Sequence, residues 1–189
     1  MVKLNKIYTR TGDKGRTRLA DSSSLSKSSP RIEAIGAVDE ANSALGLLVA
    51  SLPGEEARKA ILRIQNDMFD LGADIATPGD DFEPSDTILR IVPEQVVALE
   101  VVIDALNGGL APLTSFVLPG GSEGAARAHL ARAAARRAVR SMVALDQAEP
   151  INPAALAYIN RLSDYLFVLA RSLNSSGEGD ILWKPGANR

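Results

Sequence analysis

Up to Pro30 the chain is polar, rich in Gly, Thr, Ser, Lys and Arg, and shows no apolar periodicity. This stretch reads as an arm ordered by its own turns or by a ligand, not as a core element. Helical periodicity begins after Pro30. Ile32, Ile35, Val38, Leu45 and Leu48 mark one face of a first helix that ends near Pro53 and Gly54. A second helix is predicted over residues 55–77, where Ala57, Ile61, Ile64, Met68, Leu71 and Ile75 step by four and three. Pro78 and Gly79 stop it, and residues 80–92 form a polar connection. Pro93 suits the first turn of a third helix, which Gly108 and Gly109 terminate. Residues 115–118 are a short apolar run, too short to assign as a strand. A fourth helix, over 122–146, is dense in Ala, the best helix former. A fifth, over 154–174, carries Leu156, Ile159, Leu162, Leu166, Leu169 and Leu173 on one side.

Five helices with short links and one apolar side each predict an all-α, five-helix bundle. The expected organisation is a single domain over 1–189, with an arm at 1–30, the bundle at 31–175 and a tail at 176–189. Trp183 is the main apolar residue of that tail.

Composition narrows the function. An apolar content of 46% in 189 residues supports a folded core and argues against disorder. The net charge of -2 argues against a generic nucleic-acid binder. No apolar run approaches the roughly 18 residues a membrane span requires. Residues 1–10 lack the apolar stretch of a secretory signal, so a cytoplasmic protein is expected. Cysteine is absent, which excludes disulfides, thiolate nucleophiles and Cys-based zinc sites. His129 is the one histidine, which excludes a di-metal bundle built on two Glu-x-x-His pairs. No G-x-S-x-G elbow is present for a serine hydrolase.

Four groups of residues can carry chemistry. The arm reads Tyr8-Thr9-Arg10-Thr11-Gly12-Asp13-Lys14-Gly15-Arg16-Thr17. Its glycines let the backbone close round an anion, with N–H groups, hydroxyls and cationic heads as donors. It is not a Walker A loop, and taken alone it also fits an ordinary turn on a basic tail. The fourth helix holds Arg127, Arg132, Arg136, Arg137 and Arg140, with no acidic residue between Glu123 and Asp146. Arg132, Arg136 and Arg140 stack at i,i+4 on one face, which is either solvated or an anion site. Asp39 and Glu40 sit beside the apolar stripe of the first helix. Either they face water or Asp39 takes a cationic partner, for which Arg132 is the candidate. Asn160 and Asp164, at i,i+4 in the fifth helix, read in isolation as mutual helix decoration.

Three features point elsewhere and are set aside. Residues 116–124 lack the G-x-G-x-x-G of a dinucleotide fold. Asp67, Asp70 and Asp74 read as an acidic solvated face, because no loop-type metal pattern surrounds them. His129, among Ala and Leu, reads as a packed or surface residue and not as a ligand.

In order and spacing, these segments resemble the PduO-type cobalamin adenosyltransferases along nearly the whole chain. The resemblance rests on Thr9 to Gly15 in the arm, Arg31 to Ser43, and Gln65 to Ala73. It is strongest in Phe116-Val117-Leu118-Pro119-Gly120-Gly121, in Ala131 to Ala138, and in Asn160 to Phe167. It implies a homotrimer that binds ATP between adjacent subunits. It places Thr9, Thr11, Gly12, Asp13, Gly15, Thr17 and Lys27 near the triphosphate, with Arg10 in the same loop. Arg132 and Arg136, with Arg137 beside them, would contact the nucleotide, and Asp39 would pair with Arg132 across the subunit boundary. Asn160 would contact the nucleotide, with Asp164 as its acidic neighbour. Phe116 would displace the lower axial ligand of the corrinoid.

The activity implied is transfer of the 5′-deoxyadenosyl group from ATP to cob(I)alamin, with Mg²⁺ accompanying the nucleotide. The product would pass to a B12-dependent enzyme; no nucleic acid and no membrane is expected as a partner. One departure stands out. Many members of the family carry Arg-Arg-Ala-Glu in the fourth helix, whereas this chain has Arg136-Arg137-Ala138-Val139. Val139 keeps open a non-catalytic carrier of ATP or adenosylcobalamin. A helical scaffold that holds an anionic partner on its arginine face is a third reading.

Overall fold

The computed structural model describes residues 8, 10–19 and 21–189. Two short strands, β1 (Arg16–Arg18) and β2 (Ser24–Ser26), precede five helices: α1 (Pro30–Val49), α2 (Glu55–Ile75), α3 (Pro93–Asn107), α4 (Glu123–Asp146) and α5 (Pro153–Leu173). The all-α bundle expected from the sequence is present. The arm differs from expectation by folding into an antiparallel hairpin, with Thr17 opposite Leu25. Its preceding turn closes through the Gly15 N–H to the Gly12 carbonyl at 3.1 Å, and Gly15 has the positive φ of 75° that glycine tolerates.

The helix starts follow local chemistry. Prolines occupy the first turn of α1, α3 and α5, where a missing N–H costs nothing. Ser122 caps α4 by accepting from the Ala125 N–H at 3.2 Å, and Asn152 caps α5 through the Ala154 N–H at 2.9 Å. Ahead of α3, the Gln95 side chain reaches back to the Val92 N–H at 3.0 Å. The first helix ends at Val49 and not at Pro53, because a turn through Ser51 folds Leu52 into the core.

Helix α4 lies between α1 and α5, α2 flanks α1, and α3 packs on α5. The inner face of α4 is Ala128, Ala131, Ala135 and Ala138, all fully buried. Ala34, Ala37 and Ala41 line the facing side of α1. Small residues on both sides let helix axes approach closely, so the seam is set by backbone proximity rather than by interlocked large side chains. Larger residues fill the wider spaces, among them Leu45, Ile61, Met68, Met142, Tyr158 and Leu166.

The expected solvated acidic face on α2 is corrected by the structure. Asp74 is buried. One carboxylate oxygen receives the Arg90 guanidinium at 2.8 Å; the other receives the Ile91 N–H at 2.8 Å and the Asn152 amide at 2.7 Å. Asp67 accepts from the Tyr158 hydroxyl and the Gln95 amide, both at 2.9 Å. Asp70 is half-buried, and burial followed by the nearby Asp67 charge raises its carboxyl pKa. Asp74 and Asp67 anchor α2 to the 81–92 segment, α3 and α5. Their partners are distant in sequence, so helical spacing alone gave no sign of them.

The tail is also structured. A buried Arg171–Asp180 ion pair at 2.8 Å holds it to α5. It then pairs with the run before α4: Leu118 donates to the Ile181 carbonyl at 2.8 Å and Trp183 to the Phe116 carbonyl at 2.7 Å. The apolar run 115–118 thus extends along the tail through an isolated bridge between Val117 and Leu182. Asn174 joins the same region, accepting from the Ser122 N–H at 2.9 Å and donating to the Gly120 carbonyl at 3.2 Å. Gly121 makes room for it: φ is 101°, and a Cβ there would lie 2.1 Å from the Asn174 side chain.

Two outcomes follow. Asp74→Ala leaves Arg90 buried and unpaired, and denaturant unfolding should show a loss of about 3–5 kcal/mol. Gly121→Ala should cost roughly 1–3 kcal/mol from backbone strain alone, and the displaced Asn174 should loosen the 115–121 segment. Faster amide exchange at Leu118 and Ser122 than in the parent protein would register that loosening.

Candidate active site

Two open clefts are lined by six of the candidate residues. The first lies in the arm, has a volume of about 550 Å³, and is lined by Thr11, Gly12, Thr17 and Lys27 together with Lys14, Arg16, Arg18 and Ser24. Four cations converge on this small cleft, and its glycine turn exposes backbone. Lys27 is tied to the turn by its N–H to the Gly15 carbonyl at 2.9 Å. The turn also contains Asp13, whose N–H points to the Arg10 carbonyl. Arg10 is exposed with φ of 62°, and its guanidinium lies 5.8 Å from the Tyr8 ring centre. Thr9 lies outside the described residues. A concave, cationic pocket beside a tight glycine turn is suited to an oligophosphate.

The second cleft, about 820 Å³, opens between the 113–119 segment, the start of α4, α5 and the tail. Phe116 stands at its lip, 77% exposed, with its ring 6.0 Å from that of Trp183. Phe167, Val117, Leu113 and Pro119 extend the apolar lining, and Arg132 and His129 supply its polar side chains together with Thr114 and Ser115. The backbone pairing with Ile181 and Trp183 fixes the segment that presents Phe116, as does a 2.7 Å bond from the Ser115 hydroxyl to the Trp183 carbonyl.

The five arginines of α4 divide by their partners. Arg127 bonds Glu123 and the Leu47 carbonyl. Arg137 pairs with Glu40 and lies 3.5 Å from Glu33, both on α1. Arg140 turns back to the Arg136 carbonyl at 3.1 Å. Among the described residues, no carboxylate lies within ion-pair distance of Arg132 or Arg136. The Arg132 guanidinium sits 5.3 Å from the Phe167 ring centre. Burial, then the neighbouring Arg136 charge, lowers its pKa, and Asp164 opposes the shift. A half-desolvated guanidinium beside a second one is electrostatically unsatisfied until an anion arrives.

Other candidates are placed differently from the sequence reading. Asp39 is exposed and makes no ion pair with Arg132 within the chain, so no buried charge demands a partner there. Its neighbour Glu40 instead takes Arg137. Asp164 bonds Arg161 at 2.9 Å, not Asn160, and Arg161 also reaches Glu100. Asn160 is exposed and shares a depression with Val139, Val143 and Leu156. Helices α4 and α5 run antiparallel, so Arg132 beside Phe167 and Val139 beside Asn160 mark the two ends of one stripe. The arm cleft and the aromatic cleft share no lining residue within the chain.

Sequence reasoning missed two contributors. Phe167 lay off the apolar stripe of the fifth helix and was given no role, yet its half-exposed ring carries Arg132. Trp183 lay in a tail with no periodicity to place it. His129, read as packed or surface, is packed: it is buried beside the aromatic cleft, its ring 6.3 Å from Phe167.

Known proteins match both the sequence and this architecture. The family model for cobalamin adenosyltransferase matches residues 7–173. The chain is 49% identical over 185 residues to a cobalamin adenosyltransferase of Cupriavidus metallidurans, covering 96% of each chain. It is 46% identical over 191 residues to a corrinoid adenosyltransferase of Mycobacterium tuberculosis, covering 100% of this chain and 97% of the relative. A variant PduO-type ATP:corrinoid adenosyltransferase from Lactobacillus reuteri, complexed with cobalamin and ATP, matches with a TM-score of 0.86 and 38% identity, covering 95% of this chain and 99% of that one. Matched in sequence and in fold from the arm to the last helix, the chain belongs to the cobalamin adenosyltransferase family.

Proposed function

We propose that this protein transfers the 5′-deoxyadenosyl group of ATP to cob(I)alamin, releasing triphosphate. The observation that carries the reading is the pair Arg132 and Arg136, without carboxylate partners among the described residues, with Arg132 lining an aromatic cleft that Phe116 guards. A flat, largely apolar macrocycle fits the cleft, and the polyanion to be displaced fits the arginines. The solved relative complexed with cobalamin and ATP supports the same pairing of ligands.

The reaction makes modest demands on side chains. Co(I) of the substrate attacks the ribose C5′; a cobalt–carbon bond forms, the C5′–O bond breaks, and the electron pair leaves on triphosphate. No proton is abstracted, so no general base is needed. The protein's work is to hold C5′ and cobalt in line and to stabilise the leaving charge. Thr11, Gly12, Thr17 and Lys27 of the arm, with Thr9, Arg10, Asp13 and Gly15 around them, would wrap the phosphates. Arg132 and Arg136 would meet the charge that develops on the leaving oxygen, with Asn160 and Asp164 orienting the nucleoside. Phe116 would occupy the lower axial side of the corrin.

Among the described residues no group of three or more His, Asp or Glu converges as a metal cage. The donor set therefore fits Mg²⁺ carried in by the phosphate oxygens with water completing its shell, a mode this ion favours.

The same reading includes a homotrimer. Each chain separates its arm cleft from its aromatic cleft, and it leaves Asp39 exposed while Arg132 lacks a carboxylate. Bringing the arm of one subunit to the α4–α5 stripe of the next would complete both the nucleotide site and the Asp39–Arg132 pair. No described helix is long and apolar enough to cross a membrane. A cytoplasmic enzyme that hands its product to a B12-dependent partner completes the proposal.

Anaerobic mixing of the protein with MgATP and cob(I)alamin should remove the Co(I) absorption band and give light-sensitive adenosylcobalamin with stoichiometric triphosphate. Tight binding of both ligands without product would instead favour the carrier reading and direct attention to Val139→Glu. Arg132→Ala should retain the wild-type helical circular dichroism while turnover falls roughly 10²–10³-fold, the usual effect of removing a group that stabilises developing charge. Near-normal turnover would remove Arg132 from the site.

A further inference from the structure

We propose that Arg16 is a phosphate-binding residue of the arm cleft, and that Ser24 holds its guanidinium ready for the ligand. The proposal rests on the reading of that cleft as the triphosphate site. It adds a cation outside the residues that the family resemblance places there.

Arg16 opens β1 and lies opposite Ser26, yet its side chain reaches diagonally to Ser24. Its Nε donates to the Ser24 hydroxyl at 3.0 Å, and its Nη2 donates to the Ser24 carbonyl at 2.7 Å. One edge of the guanidinium is thereby fixed on a single residue of the facing strand. The other N–H groups have no partner among the described residues. Arg16 is exposed and lines the cleft, so those donors are open to a ligand.

The other cations of the cleft are held differently. Lys14, Arg18 and Lys27 line it too, and among the described residues their side chains make no hydrogen bond or ion pair. A long side chain that is free loses rotamer freedom when it binds an anion. Arg16 has given up that freedom beforehand, and its planar fork matches two phosphate oxygens. No carboxylate lines the cleft, so its positive charges repel one another until an anion enters. A brace between two strands needs no charge, and a neutral side chain would serve that purpose better in such company.

The test compares full-length wild type with Arg16→Gln, Arg16→Lys, Ser24→Ala and Lys27→Ala, by calorimetry with MgATP and with inorganic tripolyphosphate. Arg16→Gln should weaken both ligands about 10–100-fold, the effect of losing one charged hydrogen-bonding group. Arg16→Lys keeps the charge and loses the fork, and should recover only part of that loss. Ser24→Ala should weaken binding about 3–10-fold, the effect of having to immobilise one side chain on binding. It should add nothing in the Arg16→Gln background. Hydrogen exchange at the Leu19 and Lys27 amides, both bonded within the hairpin, separates a ligand from a brace. In Arg16→Gln these amides should exchange as in wild type. Unchanged affinity in Arg16→Gln beside a loss in Lys27→Ala overturns the proposal. So does wild-type affinity in Arg16→Lys, a Ser24→Ala loss that persists without Arg16, or a hairpin that opens in Arg16→Gln. Wild-type affinity in both Arg16→Gln and Lys27→Ala overturns the reading of the arm cleft itself, and the role of Arg16 with it.

Discussion

How closely the other helices approach α4 decides the rest of the structure. Its inner face is alanine from Ala128 to Ala138, so α1 and α5 settle against its backbone on two sides. The rest of the helix surface is left for long side chains and holds the arginines, with Arg127 and Arg137 turned toward α1 and Arg132 toward α5. Larger residues on the inner face would push α5 outward and carry Phe167 away from Arg132.

The arginines are then differentiated by what their neighbours supply. Glu123 serves Arg127, and the α1 carboxylates Glu33 and Glu40 serve Arg137. Arg132 and Arg136 receive none from the described part of the chain. Ion pairs at solvent-exposed positions stabilise a fold only slightly. Their larger effect here is selective, because they neutralise some arginines and leave two for an incoming anion. The aromatic cleft adjoins that unneutralised pair, so apolar recognition and charge stabilisation are a few ångströms apart on one helix.

Much of this architecture is legible in the sequence, and what was not legible has a physical reason. Helix boundaries followed from prolines, glycines and caps, which act within a few residues. The stacking of Arg132, Arg136 and Arg140 followed from helical pitch, yet the separate fates of Arg137 and Arg140 depended on α1 and on a backbone carbonyl. Asp74 read as solvated because its partners, Arg90, Ile91 and Asn152, are brought to it only by folding. The hairpin was missed because three-residue strands made of Arg, Thr and Ser with the single Leu25 carry almost no apolar alternation. The tail was missed because it contributes one buried ion pair, one bridge, some backbone bonds and a single indole, none of them periodic. His129 is packed, one of the two placements its Ala and Leu neighbours allowed; which of the two holds is decided by the folded wall around it.

The pairing of Phe116 with Trp183 has a consequence for synthesis. The Ser115 hydroxyl finds its acceptor 68 residues later in the chain. By the time that acceptor leaves the ribosome, α4 and the whole of α5 are already outside and able to pack. The bundle can therefore form before the cleft has its second wall. A nascent chain interrupted just after residue 174 carries its helices and its arginines, but lacks the bonds to Ile181 and Trp183 that hold Phe116 at the lip. Helical content is a poor gauge of whether such a chain has been completed.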